Sequence, residues 1–399
     1  MVTTTFPQHS GDSQPRFVLN LCQSIPGNYE QRVLAPSARG CATDEMMDGI
    51  RVRRFRYFLN RFENLAYGSG ILGNLKANPL RWLLVPFFLC GLLIAIRREL
   101  RQFDPDIVHT HWWFPAGLVA KLAIASTNRD SRLLVTCHGA DYYVLGERLP
   151  ALRRWVFKHA DAVTVVSPAM KKHAAAQSLP TEKISVAPMG AHLADQFTSD
   201  ANSVRRGVLY VGRLVEKKGV DILLRGWANA SATVRAQGLT IIGSGLQRDA
   251  LRSLAERLGI SDSVTFHGSI AHDKLPEFYQ AAALLVFPST ISSDNDQEGL
   301  GLVAIEAMGC SCPVLASDIS SLEDIIIESE TGFVSPMGDT ESLARRLDEL
   351  LAAPELCGQV AERGRDAVLS RFDWVVVGNN YRLLYDALLK SNGPVQKTQ

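Results

Sequence analysis

The sequence predicts an α/β protein made of two Rossmann-like domains, each a parallel, doubly wound sheet. Three observations carry this reading. Short apolar, β-branched runs alternate with helical segments along the chain, the pattern of parallel strands joined by crossover helices. The rhythm stops in a polar gap at residues 192–206, rich in Asp, Ser and Asn, and then restarts. Polar and glycine-bearing motifs fall just after the apolar runs, at the strand ends where open α/β sheets gather ligands. A length of 399 residues also exceeds one ordinary core. The expected division is a domain over 1–191, a linker over 192–206, a second domain over 207–372, and over 373–399 a helix returning to the first domain, with a tail.

The elements follow in order. Residues 2–6 are β-branched and predict a short first strand, and the Pro/Gly/Ser/Asp-rich stretch 7–15 predicts a loop. Helix is predicted over 17–24 and strands over 31–35 and 50–58. An apolar run at 82–96 reads as helix, although Pro86 interrupts it. Residues 106–111 form a buried strand ending in His109 and His111, beside Trp112 and Trp113, with helix over 116–126. The run from Leu133 repeats the pattern and ends in His138-Gly139-Ala140-Asp141; strands at 162–166 and 183–187 complete the half. After the gap, strands are predicted at 208–211, 239–242, 264–267, 284–287, 313–316 and 332–335. The long amphipathic stretch 373–389 closes the chain.

The most informative stretch begins at Ser293. Asp294, Asn295 and Asp296 lead through Gln297 to Glu298-Gly299-Leu300-Gly301-Leu302, and residues 302–308 favour helix. A helix opening on bare backbone amides attracts anions, and glycines without Cβ let a phosphate come close. Glu298 precedes that helix and Glu306 lies about two turns inside it, so both are placed to face one ligand from different depths. Arg213 and Lys218 follow the 208–211 strand in a loop bounded by Gly212 and Gly219, spaced to converge on one anion; a solvated basic turn explains them equally when taken alone. Together with the glycine cradle they make a diphosphate site. His138, turned by Gly139 at a strand end beside Asp141, is placed to hydrogen-bond a reacting group; His109 and His111 read as packing or as contacts to a second substrate.

Two patterns are set aside. Asp294-Asn295-Asp296 matches the D-x-D spacing of metal sites, but a polar loop before Glu298 explains it better, so no metal is expected. Gly243-Ser244-Gly245 begins the dinucleotide fingerprint, yet position 248 is Arg and the first strand lacks the motif, which speaks against a nicotinamide enzyme.

Composition sets the remaining bounds. Seven cysteines without C-x-x-C spacing argue against a disulfide framework or structural zinc and favour a reducing cytoplasm, and residues 1–10 carry no secretory signal. Net charge is +1, but residues 1–190 hold 23 Lys+Arg against 14 Asp+Glu. That excess suits an anionic acceptor or membrane surface, and no Arg-rich, aromatic-bearing run points to nucleic acid. The apolar run 82–96 is flanked by Arg81, Arg97, Arg98 and Arg101, with more arginines at 51–61. Fifteen helical residues reach only about 22 Å, short of a bilayer's hydrocarbon core. A helix lying in a membrane interface and a buried core helix both fit the run.

These motifs carry a resemblance. Glu298 to Glu306 resembles the E-x7-E signature of retaining family-4 glycosyltransferases, Gly212-Arg213 with Lys218-Gly219 resembles their phosphate-binding loop, and His138-Gly139-Ala140-Asp141 their N-domain histidine motif. The likeness covers nearly the whole chain, most tightly 105–340. It implies a GT-B fold, two facing Rossmann-like domains, and a donor that is a UDP-sugar or GDP-sugar, with no cofactor. It implies catalytic roles for His138, Arg213, Lys218 and Glu298, and donor contacts from Gly212, Gly243, Gly268, Glu298, Gly299, Leu300, Gly301, Leu302 and Glu306. Glu298 would meet the donor sugar, Glu306 the ribose, and Arg213 and Lys218 the diphosphate.

Acceptor-side contacts would come from Gly11, Asp12, His111 and Asp141; Gly11-Asp12 alone marks a loop where relatives carry Gly-Gly. A second departure is Met189-Gly190-Ala191-His192, where relatives often show Asn-Gly-Val-Asp. The implied function is sugar transfer with retention, metal-independent, to a lipid-linked or cell-surface polysaccharide acceptor, at or near the inner face of a membrane. A nucleotide-sugar epimerase of the same fold and a catalytically silent membrane scaffold are the alternatives.

Overall fold

The computed structural model describes residues 1–390 apart from 10, 11, 13–15, 28, 69, 128, 201 and 202. The chain divides into two compact units, Met1–Pro188 with the segment from Val377 onward, and Met189–Val376. Residues 203–206 of the polar gap lie in the second unit, where Ser203 Oγ donates to Gln280 O at 2.9 Å and Arg205 donates to Cys310 O at 2.8 Å.

In the first unit the strands are β1 (Arg32–Pro36), β2 (Asp44–Met47), β3 (Ile50–Phe55), β4 (Ile107–His111), β5 (Arg132–Cys137), β6 (Ala162–Val165) and β7 (Ile184–Val186). β4 to β7 pair in sequence order, all parallel, and β1 pairs in parallel with β3. The expected first strand at 2–6 shrinks to one residue. Val2 bridges Leu34 of β1 and Thr110 of β4; Thr3 N–H still donates to Leu34 O at 3.0 Å, and the Thr3 hydroxyl donates to Thr5 O at 2.7 Å. Phe6 still reaches the core with Val18, Leu19, Val33 and Val52.

β2 was not legible as a strand. Its Asp-Glu-Met-Met sequence has no apolar alternation, and it pairs antiparallel with β3 through a tight turn at Asp48 and Gly49, both with positive φ. Arg51 and Arg53 clasp Asp44, and Arg54 reaches Glu45 at 2.9 Å, so cross-strand ion pairs do what apolar pairs usually do. β3 stops at Phe55, three residues before the expected end.

The apolar run forms a 3₁₀ turn, Pro79–Leu84, leading into the helix Val85–Gln102. Pro86 lies in the first turn, where its missing N–H breaks no helical bond, so it starts the helix instead of interrupting it. Phe88, Leu92, Ile96 and Leu100 recur every four residues and form its buried stripe.

The second unit holds β8 (Val208–Val211), β9 (Leu239–Ile242), β10 (Val264–Gly268), β11 (Leu284–Phe287), β12 (Val314–Ser317) and β13 (Phe333–Ser335). All pair in parallel in the order β10-β9-β8-β11-β12-β13. The order reverses between β8 and β11, which makes a topological switch point there. Val208, Tyr210, Leu223, Trp227 and Leu347 belong to the core against this sheet.

The helix Trp374–Lys390 enters the first unit from Val377. There Tyr381 donates its hydroxyl to Ala187 O at 3.1 Å, and Gly378 lies so close to Ser24 that a Cβ would fall 1.9 Å from its carbonyl oxygen.

Candidate active site

The second unit places its predicted residues at the carboxyl ends of four neighbouring strands. Gly212 follows β8, Gly243 follows β9, and Gly268 ends β10; Gly212 N–H donates to Ile242 O at 3.0 Å and Gly243 N–H to Gly268 O at 2.8 Å. A Cβ on Gly243 would lie 1.8 Å from Gly212 O, so only glycine lets these loops stack. The stack forms a floor of backbone beside the switch point.

Two loops are laced together above it. Three consecutive residues after β8 each grip the loop after β11: Glu216 accepts from Ser293 N–H and Oγ at 2.8 and 2.9 Å, Lys217 pairs with Asp296 at 2.9 Å, and Lys218 pairs with Glu298 at 2.6 Å. Lys217 and Lys218 are both buried, and Lys218 Nζ also lies 5.0 Å over the Phe287 ring. Burial alone would raise the Glu298 pKa, but Lys218, Lys217 and Arg213 overcome it and hold the carboxyl at about 2. Arg213 is exposed and its side chain makes no hydrogen bond or ion pair among the described residues, so its guanidinium is open to an incoming anion.

The laced loop feeds Gly299, Leu300 and Gly301 into the helix Leu302–Gly309. Gly301 caps it at φ +81°, a conformation suited to glycine, and no side chain caps the amides. That leaves an uncapped helix start next to Lys218, Glu298 and Arg213, with the dipole's positive end facing the loop. Glu306 lies further along the same helix and is buried. His272 Nε2 lies 2.8 Å from one of its oxygens and Tyr279 Oη donates to the other at 3.2 Å. Burial would lower the His272 pKa, and Glu306 raises it above the usual value instead.

The structure gives Asp294 a partner within its own loop and Asp296 one in the loop after β8. Asp296 is held by Lys217 and Asp294 accepts from Ser292 Oγ at 2.7 Å, so the D-x-D stretch shapes the loop.

The first unit assembles its predicted residues at the ends of β4 and β5. His111 Nδ1 and His138 Nε2 are 3.2 Å apart with rings stacked at 5.4 Å, and His109 lies 4.6 Å from His111 in the other direction. His109 is fixed from both sides, by Tyr385 Oη at 2.8 Å and Thr136 Oγ1 at 2.6 Å. Phe17 and Trp112 each lie 5.1 Å from the His138 ring. Burial pushes the His138 pKa down to about 3 and lowers His109 and His111 well below the usual value, so the ladder is neutral.

Asp141 lies underneath. Its carboxylate accepts His138 N–H at 2.8 Å and Trp113 N–H at 3.1 Å, and the side chain is buried. Burial pushes its pKa up to about 7 against those amide bonds. His111 is buried as well, and like Asp141 it contacts His138 directly. Asp12 accepts from Gln8 N–H at 2.8 Å and closes a turn, and Gly11 lies outside the described residues.

Sequence reasoning missed several of these groups. Glu216 and Lys217 stood beside a chosen residue, and their alternation with Lys218 around a short turn was the available signal. His272, Tyr279 and Phe17 come from distant segments, and nothing local marked them.

Comparison with known proteins bears on this arrangement. The model of the glycosyl transferases group 1 matches residues 194–367, and that of the glycosyl transferase 4-like domain matches residues 14–190. The D-inositol 3-phosphate glycosyltransferase of Rhodococcus opacus is 31% identical over 327 residues, 73% of this chain and 70% of that protein.

The chain belongs to the family-4 glycosyltransferases.

Among other members of this family, the GDP-mannose-dependent alpha-(1-6)-phosphatidylinositol monomannoside mannosyltransferase of Mycolicibacterium smegmatis is 28% identical over 292 residues, 69% of this chain and 76% of that protein. Solved structures share the GT-B fold over the full length. Sucrose-phosphate synthase of Thermosynechococcus elongatus superposes with a TM-score of 0.79 at 22% identity, covering 98% of this chain and 99% of that one. Anabaena HepE in complex with UDP-glucose gives 0.71 at 18% identity, covering 97% and 99%.

Proposed function

We propose that this glycosyltransferase moves a hexose from a UDP-sugar or GDP-sugar to a lipid-linked or cell-surface polysaccharide acceptor, with retention of anomeric configuration and without a metal ion. One observation carries the reading: the laced loops set Lys218, Glu298 and an open Arg213 against an uncapped helix start at the switch point. That combination suits a diphosphate and the sugar attached to it. The second unit would hold the donor, and the first the acceptor.

The named relatives support the substrate class. The mycobacterial protein is named for GDP-mannose and a phosphatidylinositol monomannoside, and HepE is described with UDP-glucose. A lipid-linked acceptor would place the enzyme at the cytoplasmic face of a membrane.

On this reading the charge that develops on the departing diphosphate is stabilised by Arg213, Lys218 and the first amides of the helix Leu302–Gly309. The acceptor attacks from the face the diphosphate leaves, and the leaving oxygen takes the acceptor proton. Glu298, ionised because its lysine partners hold it so, accepts hydroxyls of the donor sugar, and Glu306 those of the ribose, sharing them with His272. Neutral His138 donates to or accepts from the reacting sugar without adding charge. NMR of the product anomer tests the stereochemistry. Retention supports same-face attack, and an inverted product overturns it.

A further inference from the structure

The helix Val85–Gln102 presents a second face that the sugar-transfer site does not use. Its inner stripe is fixed in the core: Phe88 packs against Phe55 and Tyr57 at 5.3 and 5.1 Å, and a Cβ on Gly91 would lie 2.8 Å from Arg56 O. A helix pressed this closely onto backbone stays with its domain, which excludes the spanning arrangement that its length and hydropathy would otherwise allow.

The outer face is apolar and then basic. Phe87, Cys90 and Ile94 follow each other at helical spacing, and Arg98 and Arg101 continue the same line. Leu80, Trp82 and Leu83 in the preceding turn extend the apolar part, with exposures of 73%, 59% and 70%. The neighbouring turn adds Phe58, whose ring meets Phe87 at 5.0 Å and Phe62 at 6.1 Å. Large exposed aromatic and aliphatic groups in one place are unusual on a protein surface and mark an interaction site.

Charge decides what covers it. From residue 49 to residue 98 the only acid is Glu63, and its side chain is buried beside Arg56. Arg61, Arg97 and Arg101 have no carboxylate partner among the described residues. A second copy packed face to face would set these arginines against one another, whereas a bilayer carrying anionic headgroups complements them and takes up the rings between.

We propose that the Phe58–Phe62 turn and the outward side of residues 80–101 dock on an anionic lipid bilayer, apolar groups inserted at the interface and arginines on the headgroup phosphates. The docking goes beyond the sugar-transfer reading and does not depend on it, because its test uses neither donor nor acceptor.

Flotation of the full chain with phosphatidylcholine vesicles, with and without phosphatidylglycerol, makes the test. The wild type is expected to float with phosphatidylglycerol vesicles, far less with phosphatidylcholine alone, and less at high salt. Trp82→Ser with Phe87→Ser should abolish flotation while the melting temperature stays at the wild-type value. Arg97→Gln with Arg101→Gln should weaken it by roughly tenfold or more, following the usual contribution of an arginine near an anionic surface. No flotation of the wild type, or wild-type flotation of the arginine variant, overturns the proposal. So does a wild-type dimer in sedimentation that the aromatic substitutions dissociate while vesicles capture nothing.

Discussion

The two units treat charge in opposite ways at the same kind of place. Each gathers its functional groups at strand carboxyl ends, but the second unit packs ionised groups together while the first strips charge away. Glu298 stays ionised because Lys218, Lys217 and Arg213 offset its burial, and Lys217 and Lys218 each have a carboxylate partner within 2.9 Å. His109, His111 and His138 have aromatic and hydroxyl neighbours, and burial keeps them neutral. A cluster of fixed charges suits a group that arrives and leaves as an anion; a neutral imidazole suits hydroxyls whose charge changes little. On the proposed reading, that contrast divides diphosphate handling from sugar handling.

The contrast can be broken most severely in the second unit. Lys218→Ala leaves Glu298 in place without its closest partner and removes a cation from the proposed diphosphate position, and Arg213→Ala removes the open cation. Each should lower kcat/KM by roughly 10²–10³-fold, the usual effect of deleting one group that stabilises developing charge. Steady-state kinetics checks this, and Arg213→Ala should do it with only a small change in melting temperature, since the Arg213 side chain makes no hydrogen bond or ion pair among the described residues and acts on Glu298 only through its charge.

In the first unit the expected effect is on position. Asp141→Asn keeps the shape but replaces an acceptor with a donor next to the N–H groups of His138 and Trp113. It should cost about 1–3 kcal/mol of stability, as for a buried hydrogen bond left unmade. Chemical denaturation measures it. Because His138 titrates near 3, its imidazole signals in NMR should also show no titration step around 6.5, where an ordinary histidine changes charge.

The pH dependence of stability sharpens the comparison by a smaller amount. The Glu298 pKa is depressed from 4.5 to about 2, so its contribution is present above 4.5 and lost as pH falls towards 2. For His272 the folded pKa is raised above 6.5, so its bond to Glu306 contributes fully below 6.5 and is lost as pH rises through the higher folded value. Glu306→Gln should therefore flatten the alkaline side of the stability profile, and Glu298→Gln the acidic side, as read from melting temperatures across pH.

Much of this was legible in the sequence, for reasons that can be named. The parallel strands announced themselves as apolar runs because both faces of such sheets are covered, and glycines marked the places where loops touch backbone to backbone. β2 was not legible because ion pairs to Arg51, Arg53 and Arg54 hold it and no alternation shows. Phe87 and Phe88 were indistinguishable in a run apolar on every side, yet one is half exposed and the other lies in the core. Glu306 could be placed on its helix, but its partners His272 and Tyr279 lie 34 and 27 residues away in sequence, and only the fold brings them together.

The central claim is that the laced loops of the second unit hold a sugar nucleotide through its diphosphate. Thermal unfolding of the wild type and of Arg213→Ala, each with UDP-sugars and GDP-sugars, tests it most directly, because a ligand that binds only the folded state raises its melting temperature. The account predicts a concentration-dependent rise for the wild type with one nucleotide class and little or none for Arg213→Ala. A wild type that responds to no nucleotide sugar, or a variant that responds equally, would contradict it.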